Sequence, residues 1–285
     1  TSKSDLLAFI PAKSLPQSIS LPNALSVNGT VKGGMNNLYA NLTLNSTDGG
    51  VKFNGSLINI TDKKKAVYDI ALKARNLQLG KLMKNPKLGS LTADIKAKGK
   101  GYDPKTANAT FNGIISNATF NKYNYRNITI SGNMAGQNYK INLNAKDPNL
   151  AADLKASGNF SGKYPTLVLN GTIDSIRAKQ LHFTTNTLIY HGAINAGFSS
   201  LDPDHLNGNL TVLHSILVTD SERIQIDSLA LIAKDAPGNQ SLDVITPFVS
   251  LGIHGQYTLT QLGNVFQQAI NPYFALSTKK DTAKV

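Results

Sequence analysis

For most of its length the chain alternates apolar and polar residues one by one. In residues 139 to 146, Tyr139, Ile141, Leu143 and Ala145 share one face, and Lys140, Asn142, Asn144 and Lys146 share the other. Residues 150 to 161 set Leu150, Ala152, Leu154, Ala156, Gly158 and Phe160 against Ala151, Asp153, Lys155, Ser157, Asn159 and Ser161. Two-faced runs of the same kind occupy 25–31, 38–45, 51–59, 66–74, 91–98, 109–115, 127–134, 166–173, 189–198, 207–213 and 223–232. A period of two marks a strand with one covered and one wetted face, the usual state of antiparallel sheet. Turn signals punctuate the runs: D-G-G at 48–50, D-P at 103, 147 and 202, K-Y-P at 163–165 and A-P-G-N at 236–239. Roughly 15 to 20 strands at about 4.8 Å each predict a body on the order of 80 Å long. An open sheet of that size curls or splits into two layers.

A second pattern lies on top of the first. Nine times an apolar residue is followed by Asn, Ser or His, then Gly, any residue and a second apolar residue. The glycines are Gly29, Gly55, Gly113, Gly132, Gly158, Gly171, Gly192, Gly208 and Gly255. Strand geometry puts each on the apolar face, where a missing side chain thins the sheet on the side toward which it curves. The predicted fold is therefore mainly β: an elongated, curved antiparallel sheet folded over on an apolar inside that is either filled by its own side chains or open as a trough.

Two segments break the period. Leu259, Leu262, Phe266, Ala269 and Ile270 recur at helical spacing, Thr258 and Gln261 suit a capping box, and Pro272 ends the run, which predicts a short amphipathic helix over 258–272. A helical turn is also expected after Leu77, before Pro86. The whole of 1–285 reads as one elongated repeat domain with units near 15–75, 76–136 and 137–257, and with 277–285 as a tail or linker to further repeats. Turns repeat too, since D-P-K-T-A-N-A-T-F from Asp103 matches D-P-D-H-L-N-G-N-L from Asp202.

Composition narrows the chemistry. The chain is 41% hydrophobic and has no Cys and no Trp, so disulfide frameworks and cysteine-rich zinc sites are excluded. No run reaches the ~18 to 20 apolar residues of a spanning helix, and the first residues lack the pattern of a signal peptide. The net charge is +12, and twelve Lys or Arg between 63 and 105 face only Asp69, Asp94 and Asp103. Lys63, Lys64, Lys65, Lys96, Lys98 and Lys100 lead the expected basic face, which suits anionic lipid, an acidic protein or plain solvation. Nucleic acid is not expected as a partner, because no binding motif or aromatic platform accompanies the charge.

The chain holds only near misses to catalytic or ligand-binding motifs. S-G-N-F-S-G-K-Y at 157–164 lacks the spacing and the hydroxyl of a phosphate loop, and G-K-G-Y-D-P at 99–104 lacks the third Gly of a dinucleotide loop. Asp202, Asp204 and Asn207 resemble part of a calcium loop, but Leu213 stands where a Glu should close it. His182, His191, His205, His214 and His254 show no ligand spacing, and no nucleophile elbow appears. Twelve N-x-S/T triplets, beginning at Asn28, Asn41 and Asn45, follow from the composition of the polar face. No enzyme, metal or cofactor is expected.

Four blocks resemble the TamB branch of the AsmA-like family. They are L-P-Q-S-I-S-L-P-N-A-L-S-V-N-G-T-V-K-G from Leu15, G-K-L-M-K-N-P-K-L-G-S-L-T-A-D-I-K-A-K-G-K-G-Y-D-P-K-T from Gly80, Y-N-Y-R-N-I-T-I-S-G from Tyr123 and H-G-Q-Y-T-L-T-Q-L-G-N-V-F from His254. The resemblance lies in repeat texture and order over most of 15–276, without a catalytic signature. It implies a periplasmic, taco-like β-trough, anchored in the inner membrane by a helix this chain lacks, that moves phospholipid to the outer membrane or assists outer-membrane protein assembly and secretion. It further implies an outer-membrane barrel protein of the Omp85 class as partner. This chain then reads as an internal fragment of a longer protein.

The expected function is a non-enzymatic lipid conduit. Acyl chains would lie on Ile141, Leu143, Leu154, Phe160, Leu167, Leu169, Ile173, Ile194, Phe198, Leu210, Val212 and Ile253. Two alternatives stay open: a scaffold that receives unfolded outer-membrane strands by edge pairing, and a surface β-solenoid adhesin, which the lack of Trp weakens.

Overall fold

The computed structural model describes residues 20, 22–34, 36–59 and 61–261. Fifteen strands follow one another as β1 (Leu25–Gly34), β2 (Asn37–Ser46), β3 (Gly49–Ile58), β4 (Val67–Gln78), β5 (Leu88–Lys100), β6 (Asn108–Phe120), β7 (Tyr123–Ala135) and β8 (Asn138–Asp147). The series continues with β9 (Leu150–Asn159), β10 (Leu167–Arg177), β11 (Leu188–Ser200), β12 (Asn207–Thr219), β13 (Arg223–Lys234), β14 (Gln240–Ile245) and β15 (Ser250–Gly255). All fifteen form one antiparallel sheet in which spatial order equals chain order. Every connection between them is thus local, and among the described residues no crossover covers either face. One short helix, α1 (Leu79–Leu82), follows β4 where the sequence predicts a helical turn. The predicted C-terminal helix opens at residues 259–261, with the N–H of Gln261 donating to the Thr258 carbonyl, and its remainder lies outside the described residues.

Alternation along each strand and the register between strands together sort the side chains into rows. One row contains Val31, Ala40, Gly55, Ile70, Ala97, Phe111, Gly132 and Ile141, each directly opposite the next. It continues through Ala156, Leu169, Ala196, Leu210, Leu231 and Val244 to Leu251. It crosses the whole sheet without one polar side chain. The matching row on the other face passes Thr30, Asn41, Asn54, Ala71, Lys96, Asn112 and Ser131, then Asn142, Lys155, Asn170 and Asn195. The sheet is dry on one side and wet on the other. Of the unit boundaries expected from sequence, 75/76 falls inside β4 and 136/137 falls in the β7–β8 turn.

Apart from a shift between Phe198 and Ser200 near one rim, strict alternation fails along one line. The register shifts at Ala74/Leu77 between β4 and β5, near Ala93 between β5 and β6, and beside Ile173 in β10 against both neighbours. It shifts again between His191 and Ala193, where β11 meets β12. An extra residue lets Leu77, Ala118 and Ile176 return to the dry face three positions from Ala74, Ile115 and Ile173. Asn76, Asn127 and His214 take left-handed φ angles of 47°, 53° and 49° on this same line. Bulges bend strands and sharpen their twist, so an aligned series of them creases the sheet lengthwise. In the row beside the crease Ala74, Ala93 and Ala145 are each 2% exposed and Ala152 is also buried, interleaved with the half-buried Val51, Ile115, Ile128 and Ile173. At its alanine positions the fold leaves room for a methyl group and little else.

The crease leaves a trough rather than a closed sandwich. Nearly all large apolar residues of the dry face are half-buried, and among the described residues Leu181 alone combines a large side chain with exposure below 2%. In a two-layer core of this length the Leu and Ile side chains would be the buried ones and the Ala residues incidental. Ala145→Leu should therefore destabilise the fold by about 1–3 kcal/mol through overpacking. Ile114→Ala, on the wet face, should stay within about 0.5 kcal/mol. Urea unfolding of the two variants checks this, and equal midpoints would show that the crease is not tightly packed.

Candidate functional site

Eleven of the twelve residues expected in the groove fall on adjoining rows of the dry face. Ile141, Leu169 and Leu210 stand in the row that crosses all fifteen strands. The next row pairs Leu143 with Leu154, Leu154 with Gly171, Gly171 with Ile194 and Ile194 with Val212. Leu167 faces Phe198 on the row nearer one rim, which continues to Ile253 opposite Leu242. Ile173 lies beside the crease, opposite Ala152 and Gly192. Phe160 is in the turn after β9, its ring 5.2 Å from that of Tyr139, whose hydroxyl donates to the Thr166 carbonyl at 2.8 Å. It marks the end of the apolar strip at that rim.

The strip is about four rows wide and, at about 4.8 Å per strand, roughly 65–70 Å long. The same register extends it to residues that the sequence-based list omits, among them Leu42, Phe53, Leu72, Ile95, Ile130 and Leu229. They alternate as clearly as the others, so the signal was present. What sequence could not supply was which strand stands beside which.

The glycines play unequal parts. Gly29, Gly113 and Gly171 share the row of Leu143, while Gly55 and Gly132 share that of Ile141. Gly158 faces Tyr139, Gly192 faces Ile173, Gly208 faces Phe198, and Gly255 faces Gln240 beside the β13–β14 connection. At Gly171 an added Cβ would run into the Asp153 carbonyl oxygen and come within 2.9 Å of Leu154 Cα, so the neighbouring backbone occupies the space of a side chain. At Gly113 the tightest contact of a Cβ would be the Ile130 Cγ2 methyl at 3.3 Å, which can give way, with Ile95 and the Asp94 carbonyl at ordinary van der Waals distance.

Lysines expected on one basic face are distributed over several places. Lys63, Lys64 and Lys65 lie in the β3–β4 turn at the first rim, where Asp62 caps the N–H groups of Lys64 and Lys65 and is held below the usual carboxylate range by those hydrogen bonds. Lys96, Lys98 and Lys100 project from the wet face of β5, and Lys98 pairs with Asp69 across the strands at 3.0 Å. Lys81, Lys84 and Lys87 sit on the opposite rim, in the β4–β5 connection.

The weak ligand motifs resolve into structural roles. Asp202 accepts from the Asp204 N–H, Asp204 accepts from the N–H and hydroxyl of Thr260, and His205 pairs with Asp235 at 3.1 Å. Residues 157–164 form the end of β9 and a turn, with the Lys163 ammonium 4.9 Å from the Tyr164 ring centre. His191 approaches the Asp174 carbonyl and His254 pairs with Asp243, both on the wet side. Among the described residues no group of three His, Cys, Asp or Glu could hold a metal ion. No described helix is long and apolar enough to cross a membrane. A shallow hollow of about 530 Å³ on the wet face, beside Lys32, Tyr39, Asn41, Asn54 and Asp69, is open and polar.

Compared with family models, curated proteins and solved structures, the chain matches none. The geometry of the strip is therefore what any functional reading must start from. Gly171→Ala should destabilise by about 1–3 kcal/mol because it drives a methyl group into backbone, whereas Gly113→Ala should be close to neutral. Thermal unfolding of the pair tests the distinction, which fails if both are neutral.

Proposed function

We propose that the chain is a non-enzymatic carrier of phospholipid, whose acyl chains lie along the dry face of the creased sheet. The observation that carries this reading is the unbroken apolar row from Val31 to Leu251, half-covered throughout its middle. A single pocket would hold one ligand, but a strip of constant chemistry lets a ligand occupy every position along it. Each acyl methylene removed from water contributes about 0.8 kcal/mol, so a partly covered chain is held while its headgroup stays wet. The resemblance to the TamB branch of the AsmA-like family supports the same reading. A periplasmic location, an inner-membrane anchor elsewhere in a longer protein and a barrel partner of the Omp85 class belong to this proposal.

A second reading has an observation of its own. β1 stands at one end of the sheet, ten residues long and exposed almost throughout, with one ladder of backbone groups facing away from β2. Such an edge can add an incoming strand, which is the scaffold reading. Photo-crosslinkers decide between the two. Placed at Leu143 and Leu169 they should capture phospholipid in cells, and lipid extraction of gently purified protein should recover phospholipid above a control of equal size. If they capture none while crosslinkers on β1 trap unfolded barrel strands, the scaffold reading takes over.

A charge on the strip separates binding from folding. In an open trough a new carboxylate at Leu143 reaches water, so Leu143→Asp should keep its circular dichroism while losing lipid capture. Asn142→Asp, on the wet face, should change neither. Outright unfolding of Leu143→Asp would mean a dry, filled interior and would remove the room for a lipid.

A further inference from the structure

The two rims of the trough differ in charge and in what their turns expose. Along the rim that carries the β4–β5, β6–β7, β8–β9 and β10–β11 connections, residues 79–87, 121–126, 146–149 and 177–187 hold eight cations: Lys81, Lys84, Lys87, Lys122, Arg126, Lys146, Arg177 and Lys179. The acid in those four stretches is Asp147, which is 2% exposed and accepts from the Tyr123 hydroxyl and from the N–H groups of Arg126 and Asn149. Asp48 on the same rim is paired with Lys81 at 2.9 Å, and Asp220 and Glu222 stand in the β12–β13 turn, where the Asp220 carboxylate accepts from the Thr187 N–H at the end of the basic stretch. The opposite rim mixes Lys63, Lys64, Lys65, Lys105 and Lys163 with Asp62, Asp103, Asp202, Asp204 and Asp235. One edge is basic and the other is mixed.

The same basic edge carries exposed apolar tips. Met83 is 53%, Phe120 40% and Phe183 57% exposed, each at a different turn, and Phe248 stands out from the last turn of that rim. On the opposite rim the large apolar or aromatic side chains exposed at or beside a turn, among the described residues, are Tyr102 and Val67. Hydrogen bonds tie the basic edge into one rail. The Asn121 N–H donates to the Lys87 carbonyl, the Asn121 amide to the His182 carbonyl, and the Arg177 N–H to the Asn149 carbonyl. Leu181, buried under the 178–187 connection, holds that loop in place. Seven strand spacings of about 4.8 Å give the rail roughly 34 Å from β4 to β11.

We infer that this edge docks on the surface of an anionic phospholipid bilayer. The cations meet headgroup phosphates, and Met83, Phe120 and Phe183 enter the interface between them, the combination that binds interfacial segments to membranes. Phe120 and Phe183 flank the hydrogen bonds between Asn121 and His182, and Met83 stands at a turn two strands away, so the apolar tips are small groups set among cations, which suits insertion between headgroups better than burial against the flat surface of another protein. This edge does not depend on what the trough carries.

The test uses the 285-residue chain and vesicles of phosphatidylcholine with and without phosphatidylglycerol. Binding should require phosphatidylglycerol and weaken steeply as salt rises above ~0.1 M, where charge attraction is screened over about 10 Å. The combination of Lys87→Glu, Lys122→Glu, Lys146→Glu and Lys179→Glu should weaken it at least tenfold, on the order expected for four cations near such a surface. Lys63→Glu, Lys64→Glu, Lys65→Glu and Lys105→Glu together change charge equally on the other rim and should have a much smaller effect. Because the chain has no Trp, Phe183→Trp provides a lone indole that brominated lipid should quench, while Tyr39→Trp on the wet face should stay bright. Equal losses from the two rims, or an unquenched indole at position 183, would overturn the proposal. So would capture on immobilised polyglutamate without vesicle binding, which would assign the edge to an acidic protein.

Discussion

Side chains alternate between the faces of a strand, so a slip of one residue in any of these pairings would move apolar residues to water in every strand beyond it. The trough depends on that phase being kept from β1 to β15, and local turns keep it. Each strand is placed by a short connection to the one before, so errors have no long loop in which to accumulate. Where a turn is longer it is braced. Asp62 and Asp103 cap the N–H groups two residues on, and the Ala66 and Ala107 N–H groups donate back to the carbonyls of the same aspartates. A third version at Asp202 caps Asp204. The repeated D-P turn is thus a register device, and its reach extends to the unrelated-looking D-K-K-K-A at 62–66.

Phase also explains how the sheet bends without losing its dry side. A bulge inserts one residue and would reverse the alternation beyond it, yet Leu77, Ala118 and Ile176 return to the dry face because the apolar spacing there lengthens to three. Asn and His occupy left-handed positions on this line, and Asn tolerates that conformation better than most residues. Curvature here comes chiefly from the aligned bulges, with Ala74, Ala93, Ala145 and Ala152 buried beside them. The glycines act mostly where neighbouring backbones come close.

These constraints bear directly on function. A creased sheet with alanines buried at the fold and larger apolar residues around them presents, among the described residues, a long surface of uniform chemistry. The wet face is laced with Asn, Lys and cross-strand pairs such as Lys98 with Asp69 and Lys73 with Asp94. The rims diverge from one another, and the basic one is stitched by a clasp around Asp147, next to which burial raises the Tyr123 phenol pKa, with the Asp147 carboxylate adding to it.

The amino-acid sequence by itself determined the element type, the antiparallel class and the face assignment of Ile141, Leu143, Leu154, Leu169 and their kind, because a period of two is a local property that each strand carries alone. It also placed the helical turn after Leu77 and the opening of the helix at Thr258. Strand adjacency turned those faces into rows, and that is a matter of hydrogen-bond register between residues distant in sequence. The crease was hidden because each bulge looks like a minor irregularity until five pairings align them. The basic edge was hidden for a related reason. Lys63 and Lys87 are neighbours in a sequence count of charge but stand on opposite rims, whereas Lys87, Lys122, Lys146 and Lys179 are scattered along the chain and are brought to one edge because every second turn of a meander falls on the same side.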